Sequence, residues 1–188
     1  MKNISLFLFS LLIVALVMIG CKSQGFADNP ISNKNNDIGK LSKNSSEVQK
    51  QLALARAATA KYHDIEKAFE DGYVDIDVVV QNMGYHLLKV ANVNGTFDPG
   101  NPPLLVYSKN PVTGKMRLIA AEYAVPYDMS NPNPIPPEGW AGDDDVWDND
   151  TDVGWWECHA WMWYNNPDGI FSKYNPRVHV DPNDVNHP

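Results

Sequence analysis

A change of hydrophobic period at Gly72 divides this chain into a helical part and a part made of strands. Before Gly72, apolar residues recur at three- and four-residue steps over residues 47–71 and form one stripe, namely Val48, Leu52, Ala55, Tyr62, Ile65 and Phe69. Ser46-Glu47-Val48-Gln49 has the pattern of a capping box, and Gly72 is a typical helix stop. The sequence therefore predicts one long helix over residues 47–71.

After Gly72 the apolar residues are mostly branched or aromatic and occur in short runs between turn formers. Such runs predict strands at 85–91, 104–108, 116–125 and 156–164. Asn110-Pro111-Val112-Thr113-Gly114 predicts a hairpin turn, and the Pro-, Asn-, Asp- and Gly-rich stretch 126–155 predicts one long loop. We therefore expect a single α+β domain over residues 47–188, in which the long N-terminal helix packs on an antiparallel sheet of about four strands.

The N-terminus has the order of an export signal. Lys2 precedes a run of apolar and small residues from Ile4 to Gly20, and Met18-Ile19-Gly20-Cys21 resembles the lipobox of bacterial lipoproteins. This order predicts a signal peptide over residues 1–20, attachment of acyl chains such as palmitate at Cys21, and a flexible tether over residues 21–46. The expected location is the bacterial cell envelope, where the lipid makes the membrane a partner. By resemblance to lipoprotein sorting signals, Lys22 after the cysteine favours the outer membrane where two membranes exist, because the inner-membrane retention signal typically has Asp at that position.

Charge and cysteine content exclude some functions and some means of stabilisation. The net charge of −8 argues against nucleic acid as a partner, because phosphates require basic neutralisation. If Cys21 carries lipid, Cys158 is the one remaining thiol, so no internal disulfide can form. We expect a core held by packing alone, for which the chain offers six Trp, eight Tyr and six Phe.

Three histidines within regular structure are candidate metal ligands: His63, His86 and His159. Alternation places Glu157 and His159 on one face of the last strand, and places Glu122 on a face with Leu118, Ala120 and Ala124. A carboxylate on an apolar face needs a partner or a function. We therefore predict a site in the cleft between helix and sheet, with His63, His86 and His159 binding zinc, copper or iron and Glu122 or Glu157 as fourth ligand or base. The alternative is that each histidine is half-buried and satisfied singly.

Several short segments, in a fixed order over residues 55–178, resemble a family of exported bacterial proteins without an assigned function. They include Tyr62-His63-Asp64, Met83-Gly84-Tyr85-His86, Ala121-Glu122-Tyr123, His159-Ala160-Trp161-Met162-Trp163 and Asn166-Pro167-Asp168-Gly169-Ile170-Phe171. The resemblance implies that His63, His86, Glu122 and His159 belong to a shared pattern. It implies no mechanism.

The acidic insert around Asp143–Asp152 offers two other uses. Its alternating carboxylates suggest calcium, but Val153 and His159 stand where an EF-hand needs Gly and Glu, so only a looser calcium site or a solvated loop remains. Trp140 and Trp147 lie in this polar loop and could stack on sugar rings or another ligand. Catalysis by a nucleophile is disfavoured, because Cys158 should point away from His159 and no hydrolase or nucleotide-binding motif is present.

Taken together, the sequence predicts an envelope lipoprotein with a His-rich metal or small-ligand site, and favours binding over turnover. The alternative is a non-catalytic module of the envelope that binds carbohydrate or a protein partner, or serves as a scaffold. That alternative requires exposed tryptophans beside a groove and histidines that are buried separately.

Overall fold

Six antiparallel strands form one sheet, and helices precede them in the chain. The computed structural model describes residues 34–181 and 183–184. The helices are α1 (Lys34–Thr59) and α2 (Ile65–Glu70), and the strands are β1 (Val74–Val80), β2 (Gly84–Leu88), β3 (Leu104–Lys109), β4 (Met116–Pro126), β5 (Asp148–Asp150) and β6 (Trp155–Ala160). The strand order is β1-β2-β3-β4-β6-β5, with antiparallel neighbours throughout.

The mixed helix and antiparallel sheet is confirmed, but the predicted number of strands is too small. The predicted strands correspond to β2, β3, β4 and β6, and the hairpin turn is confirmed because the Asn110 and Lys115 backbones pair at 2.9 Å. β1 and β5 are additional. β6 also ends at Ala160, four residues before the predicted end at Tyr164, because the Trp161 amide leaves the sheet and donates to Ile170 O at 2.9 Å.

The helical part differs from the single helix expected over residues 47–71. α1 already begins at Lys34, so the proposed cap at Ser46 lies inside it, and it ends at Thr59. A 3₁₀ turn, Ala60–His63, follows, and Asp64 then starts α2 by accepting from the Glu66 amide. The apolar stripe continued through this break because the 3₁₀ turn still directs Tyr62 into the core.

One face of the sheet packs on α1. Leu52 and Ala55 contact a cluster of buried residues from β4, β6 and the chain after them, including Ala121, Tyr123, Cys158, Ala160 and Phe171. Nearer β2 and β3, Tyr62 and α2 cover a second cluster on this face that includes Tyr107 and Leu118. We call this surface the helix face.

The opposite face is covered partly by the C-terminal segment, where Val178 and Trp161 pack on Val106, Ile119 and Ala120. A bulge between β3 and β4 places both Ile119 and Ala120 on this side, because the register shifts after Val106. Leu118 is therefore on the helix face, and the prediction that it shares a face with Glu122 is wrong.

The signal peptide, Cys21 and the first part of the tether fall on residues 1–33, outside the described residues. Within residues 34–181 and 183–184, no helix combines the length and the apolar character that a membrane span requires.

Candidate metal centre

His86, Glu122 and His159 converge on the sheet face away from α1. Glu122 on β4 is the direct cross-strand partner of His159 on β6, while His86 reaches them from β2. His86 Nε2 lies 3.5 Å from Glu122 Oε2, and His159 Nδ1 lies 3.6 Å from Glu122 Oε1. One ligand atom from each residue can be chosen so that all three lie within 4.8 Å of one another. The three side chains are buried, with 3–4% of each residue exposed.

A bulge in β1 orients the His86 imidazole. The register of β1 on β2 shifts between Asp75 and Val79, and Asp77 there has a positive φ of 57°. The carbonyl of Val78 is left out of the ladder and lies 3.0 Å from His86 Nδ1. Because a carbonyl can only accept, Nδ1 carries the proton and donates, and the lone pair of Nε2 faces Glu122. Metal-binding histidines are commonly held in this way by a second hydrogen bond.

His159 is held by stacking instead of by a second hydrogen bond. Its ring lies 5.5 Å from the Trp161 ring with an interplanar angle of 11°. The rings of His159 and His86 are 6.2 Å apart and nearly perpendicular. His159 Nε2 is buried and has no hydrogen-bond partner among the described residues. A buried ring nitrogen in this state is costly unless the site contains a further group.

Burial drives all three groups toward their uncharged forms. It lowers the pKa of His86, and it lowers the pKa of His159 to about 3, with His86 adding to the shift. Burial, together with the nearby Glu157 carboxylate, raises the pKa of Glu122 well above its usual range. The short His–Glu separations are therefore not ion pairs, and neutral imidazoles are the form that binds metals.

A cavity of about 500 Å³ opens onto His86 and Glu122. One wall is apolar and comes from β1, the turn between β1 and β2, and β3, with Ile76, Val80, Met83 and Leu104. The other wall is acidic, and Lys173 forms an ion pair there with Asp148 of β5. Burial, with Asp150 next in effect, raises the pKa of Glu157 on this wall to about 7. The acidic insert thus contributes to the cavity through β5.

The arrangement could hold a metal ion. Two imidazoles and a carboxylate are a common set for zinc and for iron(II), and both metals leave positions open to solvent or ligand when bound this way. Ligand atoms bound at about 2.1 Å in a tetrahedral site lie about 3.4 Å from one another. The two His–Glu separations of 3.5 and 3.6 Å are close to that value, while the three ligand atoms together lie within 4.8 Å of one another.

His63 is not part of this group, which corrects the prediction of three converging histidines. Its ring packs edge-on against Trp163 at 4.5 Å, and Trp163 belongs to the helix-face clusters. The site also lies on the far face of the sheet and not in the cleft between helix and sheet. Hydrophobic periodicity showed that a helix covers the sheet, but it did not show which face is covered.

The expected stacking residues Trp140 and Trp147 are not a free platform. Trp140 is only 3% exposed and packs among Phe97, Tyr123 and Phe171. Trp147 is half-buried, with its ring 5.9 Å from Phe97 and its Nε1 donating to Asp145 at 2.8 Å. Cys158, by contrast, lies on the helix face as predicted, away from His159.

Sequence reasoning missed two contributors to the site, Val78 and Lys173. Val78 acts through its backbone carbonyl, so its side chain carries no signal. Lys173 follows the strand region and reaches Asp148 only through the tertiary fold. No family model matches this chain, and no curated protein or solved structure is similar enough to count as a match.

Proposed function

We propose that this protein is a lipid-anchored protein of the bacterial envelope that binds one divalent transition metal through His86, Glu122 and His159. The observation that carries the proposal is the lone pair of His86 Nε2, which the Val78 hydrogen bond aims at Glu122 Oε2. Two acceptors that face each other in a buried site require a proton or a cation between them.

A proton alone does not satisfy the group. A proton on Glu122 can serve only one of the two imidazoles, and both nitrogen–oxygen separations exceed the usual hydrogen-bond length of about 2.7–3.2 Å. A metal accepts both imidazole lone pairs and the carboxylate at once.

The cavity gives the metal a position for a further ligand. Because His86 and Glu122 line the cavity, an ion between them faces about 500 Å³ of open space. Three protein ligands and one open position are typical of metal sites that bind water, substrate or a small ligand. Zinc fits this set first, iron(II) uses the same two-histidine, one-carboxylate set, and copper(II) prefers tetragonal geometry.

The anchor and its membrane rest on the sequence alone. The order of Lys2, the apolar run and Cys21 supports an exported, lipid-modified protein. A metal site in such a protein would lie outside the cytoplasm, beyond a tether. The membrane, through that lipid, is the partner we propose.

Metal content of the full-length protein tests the proposal. Wild type is incubated separately with Zn²⁺ and, without oxygen, with Fe²⁺, then desalted and measured by elemental mass spectrometry. We expect about one equivalent of metal in wild type and much less in His86→Gln, Glu122→Gln and His159→Gln. His63→Gln is the matched control, because it removes a histidine outside the group.

Circular dichroism establishes that each variant is folded. Absence of metal from loaded wild type, or equal loss in His63→Gln, contradicts the proposal. The ratio of zinc to iron retained identifies the preferred ion.

A further inference from the structure

A second cavity, of about 400 Å³, lies between the β3–β4 hairpin and residues 177–179 of the C-terminal segment. Four of the chain's 15 lysines and arginines line it, namely Lys109, Lys115, Arg117 and Arg177. Among the residues that the structure describes, no Asp or Glu lines it, although the chain has 23 of them. In a protein with a net charge of −8, this concentrates positive charge in one concave place.

The guanidinium N–H groups of Arg117 and Arg177 are available as hydrogen-bond donors to a ligand. The Arg117 guanidinium carbon lies 4.7 Å from the centre of the Tyr164 ring, and such a cation–π contact does not consume N–H groups as hydrogen-bond donors. Within the part of the chain that the structure describes, neither Arg117 nor Arg177 has a carboxylate at salt-bridge distance. Lys109 is the exception on this wall, since it pairs with Asp184 at 2.8 Å. The remaining charge of Lys115 and the two arginines is thus open to a ligand.

We propose that this cavity binds a phosphate group through Arg117 and Arg177. A guanidinium presents paired N–H groups that match two phosphate oxygens, and two of them around one cavity can hold a group with two negative charges. Lys115 adds a point charge, and Thr113 lines the same wall and can donate through its hydroxyl. The volume suits a small phosphorylated molecule or the headgroup of an anionic phospholipid. The site shares no residue with the metal centre, so either proposal can fail alone.

The arginine side chains themselves provide the readout. The chain contains three arginines, and the third, Arg56, lies on α1 outside the cavity. In ¹⁵N-labelled full-length protein in zwitterionic micelles, the Nε–Hε resonances are followed while inorganic phosphate is added. A second titration adds short-chain phosphatidylglycerol, with phosphatidylcholine as reference. We expect saturable shifts at Arg117 and Arg177 and none at Arg56.

The two titrations distinguish the source of the phosphate. Shifts with inorganic phosphate alone indicate a soluble ligand, whereas saturation by phosphatidylglycerol at lower concentration indicates a lipid headgroup; both support the site. Resonances of Arg117 and Arg177 that stay unmoved up to about 10 mM of either compound overturn it, because that corresponds to binding too weak to be specific.

Charge-matched variants distinguish specific recognition of phosphate by the two arginines from nonspecific electrostatic attraction. Arg117→Lys with Arg177→Lys keeps the charge but removes the paired donors, and we expect affinity to fall about tenfold. Arg117→Ala with Arg177→Ala should abolish saturable binding, measured by phosphate-dependent fluorescence or calorimetry. Lys50→Ala with Lys67→Ala removes the same charge from exposed positions and should leave binding unchanged. Equal loss in that control pair also overturns the proposal.

Discussion

Replacing His159 by glutamine should change how the metal-free protein responds to acid. Burial lowers the pKa of His159 from 6.5 to about 3 in the folded protein, while the unfolded chain keeps the ordinary value. Below pH 6.5 the unfolded chain therefore takes up a proton that the folded protein does not. The free energy of unfolding falls by up to about 1.4 kcal/mol for each pH unit in this window, or about 2.5 kcal/mol from pH 6 to pH 4.

Two other buried groups change the free energy of unfolding with pH in the opposite direction, so their contribution must be separated from that of His159. The raised pKa values of Glu122 and Glu157 make the folded protein take up protons first, so these carboxyls add stability as the pH falls toward 4.5. They are present in both wild type and His159→Gln. The difference in unfolding free energy between the two proteins therefore isolates His159.

Urea unfolding with a chelator present, at pH 4, 5, 6 and 7, measures this difference. We expect the variant to gain about 2.5 kcal/mol relative to wild type between pH 6 and pH 4. His63→Gln is the control, because it removes a histidine outside the group. A difference for His159→Gln that is constant with pH would refute the reasoning, because His159 would then take up its proton when folded as it does in water.

Four further substitutions test the site and the fold that supports it. Saturation at 100 times Kd should stabilise wild type by about 2.7 kcal/mol and Glu122→Gln by almost nothing, as measured by thermal unfolding with and without metal. Tyr107→Phe should cost about 1–2 kcal/mol in urea, because its buried hydroxyl donates to Tyr62 O at 2.7 Å; an unchanged midpoint would exclude that contribution. Gly84→Ala should cost more than about 2 kcal/mol, since φ is +134° and a Cβ would lie 2.3 Å from Tyr107 O. Gly72→Ala, at φ +89° with nothing within 4 Å, should cost only about 1 kcal/mol, and equal losses would show that the clash is unimportant.

The sequence pattern predicted those strands that bury at least one of their faces. β3 and β4 consist largely of buried apolar residues, so composition alone identifies them. β1 escaped because it is an edge strand with a bulge, and it contains two aspartates, Asp75 and Asp77. Two of its valines, Val74 and Val78, are also 52% and 40% exposed. β5 escaped because three residues of Asp-Asn-Asp carry no strand pattern.

The site was predictable in its residue types but not in its assembly. Alternation gave Glu122 and His159 inward positions within their own strands. Their meeting with His86 depends on strand order and register across β2, β3, β4 and β6, which are long-range properties. The same limit explains why His63 was wrongly predicted to join the site, because no local pattern shows which face of the sheet a helix will cover.

X-ray absorption spectroscopy of the metal-loaded full-length protein tests the central claim most directly. We expect only nitrogen and oxygen ligands at about 2.0–2.2 Å, with outer-shell scattering from two imidazole rings that falls to one ring in His86→Gln. Sulfur at about 2.3 Å would place the metal on a cysteine, and a spectrum without imidazole scattering would place it elsewhere. Either result would contradict a centre built from His86, Glu122 and His159.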